Sequence, residues 1–310
     1  SSRGALKNLI SSASNTEATT ANSLTSFDSN GFTLGSDDNS NQSSKTFVGW
    51  QWKANGGTTS SNSNGSITST VQVNDTAGFS IVLYTGNETA GATIGHGLSA
   101  APDVIIVKNR DTNRTWLFGH QAYVGNNAEN IRLNSTMAVT SADSQANSGW
   151  NRTVFGSSTF TVGNGIDGDF SSSTNNGTDD HVAYCFREIK GYSKFGSYTG
   201  NITSGDDGTF VYTGFKPAWI LVKSSSNSGQ EWVIFDNKRD TFNQMDAWLY
   251  ANANTAEDST GDARDVDFLS NGFKFRNAGG PTSYSGRTYI YMAFAEHPFV
   301  SSKGVPVTAR

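Results

Sequence analysis

Pro102-Asp103-Val104-Ile105-Ile106-Val107-Lys108 and Pro217-Ala218-Trp219-Ile220-Leu221-Val222-Lys223 are two versions of one stretch, with their prolines 115 residues apart (217 minus 102). Each is a short apolar run closed by a lysine, and such a run reads as a strand buried on both faces. The neighbourhood repeats as well. Tyr84-Thr85-Gly86-Asn87 returns as Tyr198-Thr199-Gly200-Asn201, and Trp116-Leu117-Phe118 is answered by Trp232-Val233-Ile234-Phe235. So long a period, with residue types kept in order, means tandem copies of a whole domain rather than a solenoid of small units. Duplication favours a binding or structural role, because added copies add valency, whereas one catalytic pocket gains little from it.

A third copy is visible in part. Phe27-Asp28-Ser29-Asn30-Gly31-Phe32 matches Phe268-Leu269-Ser270-Asn271-Gly272-Phe273. Each leads into an aromatic run, Phe47-Val48-Gly49-Trp50-Gln51-Trp52 and Tyr289-Ile290-Tyr291-Met292-Ala293-Phe294, which His181-Val182-Ala183-Tyr184-Cys185-Phe186 answers in the middle copy. All three runs are expected to be strands. Residues 1–55 therefore read as the second half of a first domain, cut from a longer chain rather than completed by another one. Residues 56–66, rich in Gly, Ser and Asn, read as a linker. The second domain spans 67–189, the third 190–300, and 301–310 form a tail.

Composition agrees with an all-β chain. Of 310 residues, 16% are charged and 12% aromatic, with 33 Gly and 5 Pro and a formal net charge of −5. That aromatic content is too high for a disordered tract. Short apolar runs between Gly/Asn/Ser turns predict tandem antiparallel β-sandwich domains, jelly-roll or lectin-like, with at most short helices. The best helical candidate is Gly4–Ser14, with the stretch from Phe242 to Thr255 as its counterpart, and a short helix or a loop packed on a sheet would fit both. Asn30-Gly31 and Asn271-Gly272 predict hairpins with the glycine at positive φ. No basic cluster offers a nucleic-acid footprint, and no apolar run is long enough to insert in a membrane.

The order of these motifs resembles a repeat of virion structural proteins of marine bacteriophages. It is proline, apolar strand and lysine, then a Trp strand, then Phe-x-Ser-Asn-Gly-Phe, then an aromatic run such as Phe47–Trp52 leading to Lys53-Ala54. The stretch from Tyr291 to Pro306 resembles the C-terminal ends of that group. The resemblance implies a tail fibre, spike or capsid-surface fibre on the virion surface. The partners expected are other virion proteins and a host-surface glycan or protein, with the chain in a homo-oligomer, a trimer. It brings no catalytic motif.

The residues themselves suggest no enzyme. His96, His120, His181 and His297 form no metal-protease pattern, and Cys185, the single cysteine, lies inside an apolar strand as a small hydrophobe. Acidic loops, notably Asp167-Gly168-Asp169 and Asp206-Asp207-Gly208, offer hard oxygen ligands suited to calcium, although turn chemistry is the usual reason for Asp in such Gly/Asn-rich turns. Trp52, Val107, Trp116, Phe186, Val222, Trp232, Phe273 and Phe294 are expected in the repeated core. Trp150 and Trp248 lie in polar stretches, do not recur, and are the candidates for exposed stacking on sugar rings. The alternatives to a fibre are a polysaccharide-degrading spike, needing a carboxylate pair, and a capsid decoration protein.

Overall fold

The computed structural model describes residues 2–124, 129–142, 144–166, 168–205, 208–259, 264–277 and 279–298. Among them only two short helices, Asp38–Asn41 and Gly168–Asn175, interrupt an otherwise antiparallel all-β sandwich-type fold.

The largest sheet runs, in spatial order, through Thr140–Ser141, Glu129–Arg132, Leu117–His120, Val104–Asn109, Asp180–Phe186, Phe79–Thr85, Ser69–Asn74 and Ser60–Asn62. The apolar run Val104–Lys108 is central, between Leu117–His120 and the aromatic strand Asp180–Phe186. The third copy repeats the arrangement: Pro217–Ser224 lies between Thr288–Ala295 and Val233–Asp236, with Ser193–Thr199 and Leu249–Tyr250 at the edges. The residues expected in the core are buried there, apart from Trp52, which is half-buried.

Pairing fixes which side chains share a face, because directly opposed residues point the same way. Phe79, Ile106, Phe118, His120, Tyr184 and Phe186 share one face of the large sheet; Tyr84, Val107, His181, Ala183 and Cys185 share the other. The second face is covered by the small sheet Thr93–Gly95/Thr159–Thr161, where the Phe160 ring lies 6.0 Å from Tyr84. The first face meets the next copy: Phe186 lies 6.3 Å from Phe195 and 6.0 Å from Phe294, and Phe118 lies 4.6 Å from Trp232. The far face of the five-stranded sheet carries Tyr198, Val222, Phe235 and Tyr291. It packs on a three-stranded sheet, Phe210–Tyr212, Gly272–Phe275 and Val266–Leu269. The sheets thus stack in four layers, and the five-stranded sheet is buried on both faces.

Several sequence expectations fail locally. Gly4–Ser14 is not helical: Lys7–Asn8 pairs with Ala18–Thr19, since one helix this short is marginal without a packing face. The stretch from Phe242 to Thr255 likewise supplies a strand, Leu249–Tyr250, and no helix. Within the expected linker, Ser60–Asn62 pairs with Ser69–Val71 as the sheet's edge.

The run Phe47–Trp52 is not a strand either. Its counterparts each lie between two strands of their own copy's first half, and residues 1–55 carry no such strands to bond its backbone. It becomes a wedge instead. The Trp52 ring sits 5.3 Å from Trp219, 5.4 Å from Phe294 and 6.3 Å from Phe186, edge-on each time, with Trp50 6.2 Å from Trp219.

Both Ser-Asn hairpins form, with Phe27 opposite Phe32 and Phe268 opposite Phe273. Neither Gly31 nor Gly272 adopts a left-handed φ, contrary to expectation. Gly272 is required by a close approach: a Cβ there would stand 2.1 Å from the Val211 carbonyl oxygen of the neighbouring strand, whereas one at Gly31 would meet nothing within 4 Å. Gly272→Val is expected to cost about 2 kcal/mol or more, and Gly31→Val within about 0.5 kcal/mol of nothing. Paired urea titrations of the two variants check this; equal costs would refute the close-approach explanation. The first-copy hairpin is also barer, with Phe27 52% and Phe32 37% exposed where Phe268 and Phe273 are 2% and 0%.

Candidate functional site: the module junctions

The two tryptophans proposed for sugar stacking are unavailable for it, each being 1% exposed. Trp150 fills a slot left by Gly119, whose absent Cβ would stand 2.7 Å from the indole, and it meets Phe155 and Phe160 edge-on at 5.2 and 6.5 Å. Trp248 donates its indole N–H to the Tyr250 hydroxyl at 3.0 Å, with the Arg264 guanidinium 4.8 Å above its ring.

His181 and His120 are buried and bound to the scaffold. His181 Nδ1 donates to the Asp179 carbonyl at 2.9 Å, and its ring stacks on Tyr84 at 5.0 Å. His120 Nδ1 accepts from the Ala122 N–H at 3.0 Å, and its Nε2 reaches toward the Tyr291 backbone without a well-formed hydrogen bond. Burial pulls both imidazoles down to about 4. Burial likewise pushes the Cys185 thiol up to about 12, so it is held protonated and inert.

The acidic loops serve the scaffold. Asp37 caps the helix Asp38–Asn41. Asp179 accepts from Asn109, Thr112 and Asn176, which together outweigh its burial and hold its carboxyl below the usual range. Asp169 pairs with Arg132 at 3.2 Å, while Asp167, Asp206 and Asp207 lie outside the described residues. Among the described residues no three His, Cys, Asp or Glu side chains gather in a metal-holding group. A shallow open depression lined by Asn243, Gln244, Asp267 and Arg276 presents one carboxylate, already bonded to Arg276.

What recurs is a junction between copies. Lys7–Asn8 with Ala18–Thr19, and Glu129–Arg132 with Thr140–Ser141, are equivalent hairpins, with Asn8 opposite Ala18 and Asn130 opposite Thr140. Their eight-residue loops, 10–17 and 132–139, dock on the copy that follows. In the first junction the Ile10 carbonyl accepts from the Trp116 indole at 2.8 Å, and the Ser14 carbonyl accepts from Lys108 Nζ at 3.1 Å. Thr16 N–H donates to Asn113 Oδ1 at 3.1 Å, and Glu17 N–H to the Arg110 carbonyl at 2.8 Å.

The second junction repeats every one of these bonds. Arg132 carbonyl accepts from the Trp232 indole at 2.9 Å and Thr136 carbonyl from Lys223 Nζ at 3.0 Å. Ala138 N–H donates to Ser228 Oγ at 3.0 Å and Val139 N–H to the Ser225 carbonyl at 2.9 Å. The docking positions are offset by 122 throughout (132 − 10, 136 − 14, 138 − 16, 139 − 17). The receiving positions are offset by 115 (223 − 108, 225 − 110, 228 − 113), or 116 at the tryptophans (232 − 116).

The electrostatics hold each junction closed. Lys108 and Lys223 are fully buried, and burial draws both ammonium groups down to about 8. Each offsets lost hydration by donating to two main-chain carbonyls, one across the junction and one on its own copy, Asn109 or Gln230. In the first junction Glu17 adds ion pairs to Arg110 at 2.9 Å and Arg3 at 2.6 Å. Burial works to raise its pKa, and the two guanidiniums outweigh that and hold the carboxyl below its usual range. Val139 stands at the corresponding place in the second junction, which therefore lacks that charge pair.

Sequence reasoning saw the donors and missed their role. Lys108/Lys223 and Trp116/Trp232 recur visibly, and a buried indole N–H usually finds an acceptor. Those acceptors are main-chain carbonyls in loops of unlike sequence, so side-chain identity carried no sign of them.

Comparison with curated proteins and with solved structures finds no match. The family of this pattern is nonetheless shown by its match across residues 1–298: the chain belongs to the group described as Domain of unknown function (DUF7483).

Proposed function

We propose that this chain is a non-enzymatic structural and adhesive protein of a bacteriophage particle. It is a fibre or spike subunit whose tandem β modules sit on the virion surface and attach to a host-surface glycan or protein. The single observation that carries the reading is the junction used twice with the same four hydrogen bonds. Such a contact repeats one step in one direction, and the equivalent rings of Trp52, Phe186 and Phe294 meet at 5.4–6.3 Å, which suits a compact cluster of modules presenting several weak sites. The motif order resembling marine phage virion repeats supports the same reading, as does a surface rich in Ser, Thr and Asn with few charges. The titratable groups His120, His181 and Cys185 are buried, and the two imidazoles are hydrogen-bonded to the backbone.

The test is to incubate the purified chain with host cells and with their extracted surface polysaccharide. Saturable retention on the cells without new reducing ends is the expected outcome. Steady release of reducing ends would replace this reading with a polysaccharide-degrading spike. Absence of retention on any host surface would favour a head-stabilising role. Sedimentation of the intact assembly checks the trimer proposed for it.

A further inference from the structure

The third copy carries the same hairpin, and among the described residues none of the junction bonds of the first two copies is made to it. Trp248 bridges Asp258 as Asn130 pairs with Thr140 and Asn8 with Ala18. Leu249 opposes Ile234 as Ile131 opposes Phe118. Asn252 Oδ1 accepts from Trp232 N–H at 2.8 Å, as Asn134 Oδ1 accepts from Trp116 N–H at 3.0 Å. A constant offset of 118 (248 − 130, 258 − 140, 252 − 134) makes 250, 254, 256 and 257 the counterparts of 132, 136, 138 and 139. In the two filled junctions those four positions supply the two accepting carbonyls and the two donating N–H groups. In the third copy Asn254, Ala256 and Glu257 are exposed and Tyr250 is half-buried.

We infer that the hairpin loop 250–257 is the docking end for one further module of this same type, belonging to a segment outside residues 1–310. That module presents a lysine at the position of Lys108 and Lys223 and a tryptophan at that of Trp116 and Trp232. Its lysine reaches the Asn254 carbonyl and its indole the Tyr250 carbonyl, while Ala256 and Glu257 N–H groups bond its main chain and a loop side chain. Glu257 occupies the place of Glu17 and sits 46% exposed, bound to Arg239 at 2.6 Å. An arginine at the position of Arg110 in the incoming module would share it. A second copy of these residues cannot be the occupant without opening, because its two lysine sites are filled by its own hairpins. The inference continues an interface already present twice and does not depend on the attachment role proposed above.

The test extends the whole chain with a second copy of residues 190–298 placed after residue 297, and reads amide hydrogen exchange. In the chain as it stands, Ala256 and Glu257 amides should exchange freely while Ala138 and Val139 are protected. In the extended chain the first pair should slow by ~10-fold or more, toward the second pair. Replacing the added copy's counterpart of Lys223 by Met should return them to fast exchange. Fast exchange at Ala256 and Glu257 beside a protected, folded added copy would overturn the inference. So would protection already present in the unextended chain, or protection indifferent to the Lys→Met change. Should that copy not fold, an extension built from residues 67–189, which brings Lys108, Arg110 and Trp116, gives the same readout.

Discussion

Acidification from pH 6.5 to 4 is expected to unfold this protein through two imidazoles. In the unfolded chain a histidine takes up its proton near pH 6.5, whereas burial delays that step to about 4 at His120 and His181. Between those values the unfolded state binds more protons, so stability falls as pH falls, by about 3 kcal/mol for each histidine at pH 4. The combined loss is comparable with the whole stability of an ordinary domain. Carboxylates held below their usual range, such as Asp179 and Glu17, add their losses at lower pH, while Asp103 and Glu129, raised by burial, offset part of the histidines' loss as pH falls. Urea titrations at pH 7, 6, 5 and 4.5 should show a steady drop in midpoint. His181→Gln should flatten that slope in part, leaving the shares of His120 and His96. A midpoint unchanged from pH 7 to 4.5 would refute the account.

Trp232→Ala is expected to cost about 4 kcal/mol, at the upper part of the range for a buried indole. The ring is 1% exposed, lies 4.6 Å from Phe118 of the preceding copy, and donates to the Arg132 carbonyl at 2.9 Å. The truncation therefore opens a cavity between two modules and strands a carbonyl. Trp232→Phe keeps most of the ring and removes only the donor, so it should cost about 1–2 kcal/mol. Equilibrium unfolding of both variants separates packing from hydrogen bonding. Equal losses would assign the whole effect to the bond, and a loss below about 1 kcal/mol for the alanine would mean the junction is not held there.

How much of this was legible depended on where each residue's partners lie. Val104–Lys108 and Trp219–Lys223 announce central strands because an unbroken apolar run is wasted anywhere else. The paired Phe-x-Ser-Asn-Gly-Phe hairpins were equally readable, although the glycine's reason was not: Gly272 answers to Val211, sixty-one residues away (272 − 211). Trp150 looked exposed because its neighbours in sequence are polar, and the slot that buries it is made by Gly119 on another strand. Phe47–Trp52 has a strand's composition and no strand's partners, so tertiary context overrode propensity. Ser60–Asn62 is the reverse case, poor strand formers recruited by the open edge of Ser69–Val71. The junction was half visible, since lysine and tryptophan repeat while the carbonyls they seek carry no identity.

Cys185 has a practical consequence. It is the single thiol of the chain, sealed in a central strand with its ionisation pushed up to about 12, so alkylating reagents have no thiolate to attack at neutral pH. The native background is therefore silent. One engineered cysteine on an exposed loop becomes a unique attachment point for a fluorophore or spin label, and a pair of them becomes a ruler for the spacing between successive modules.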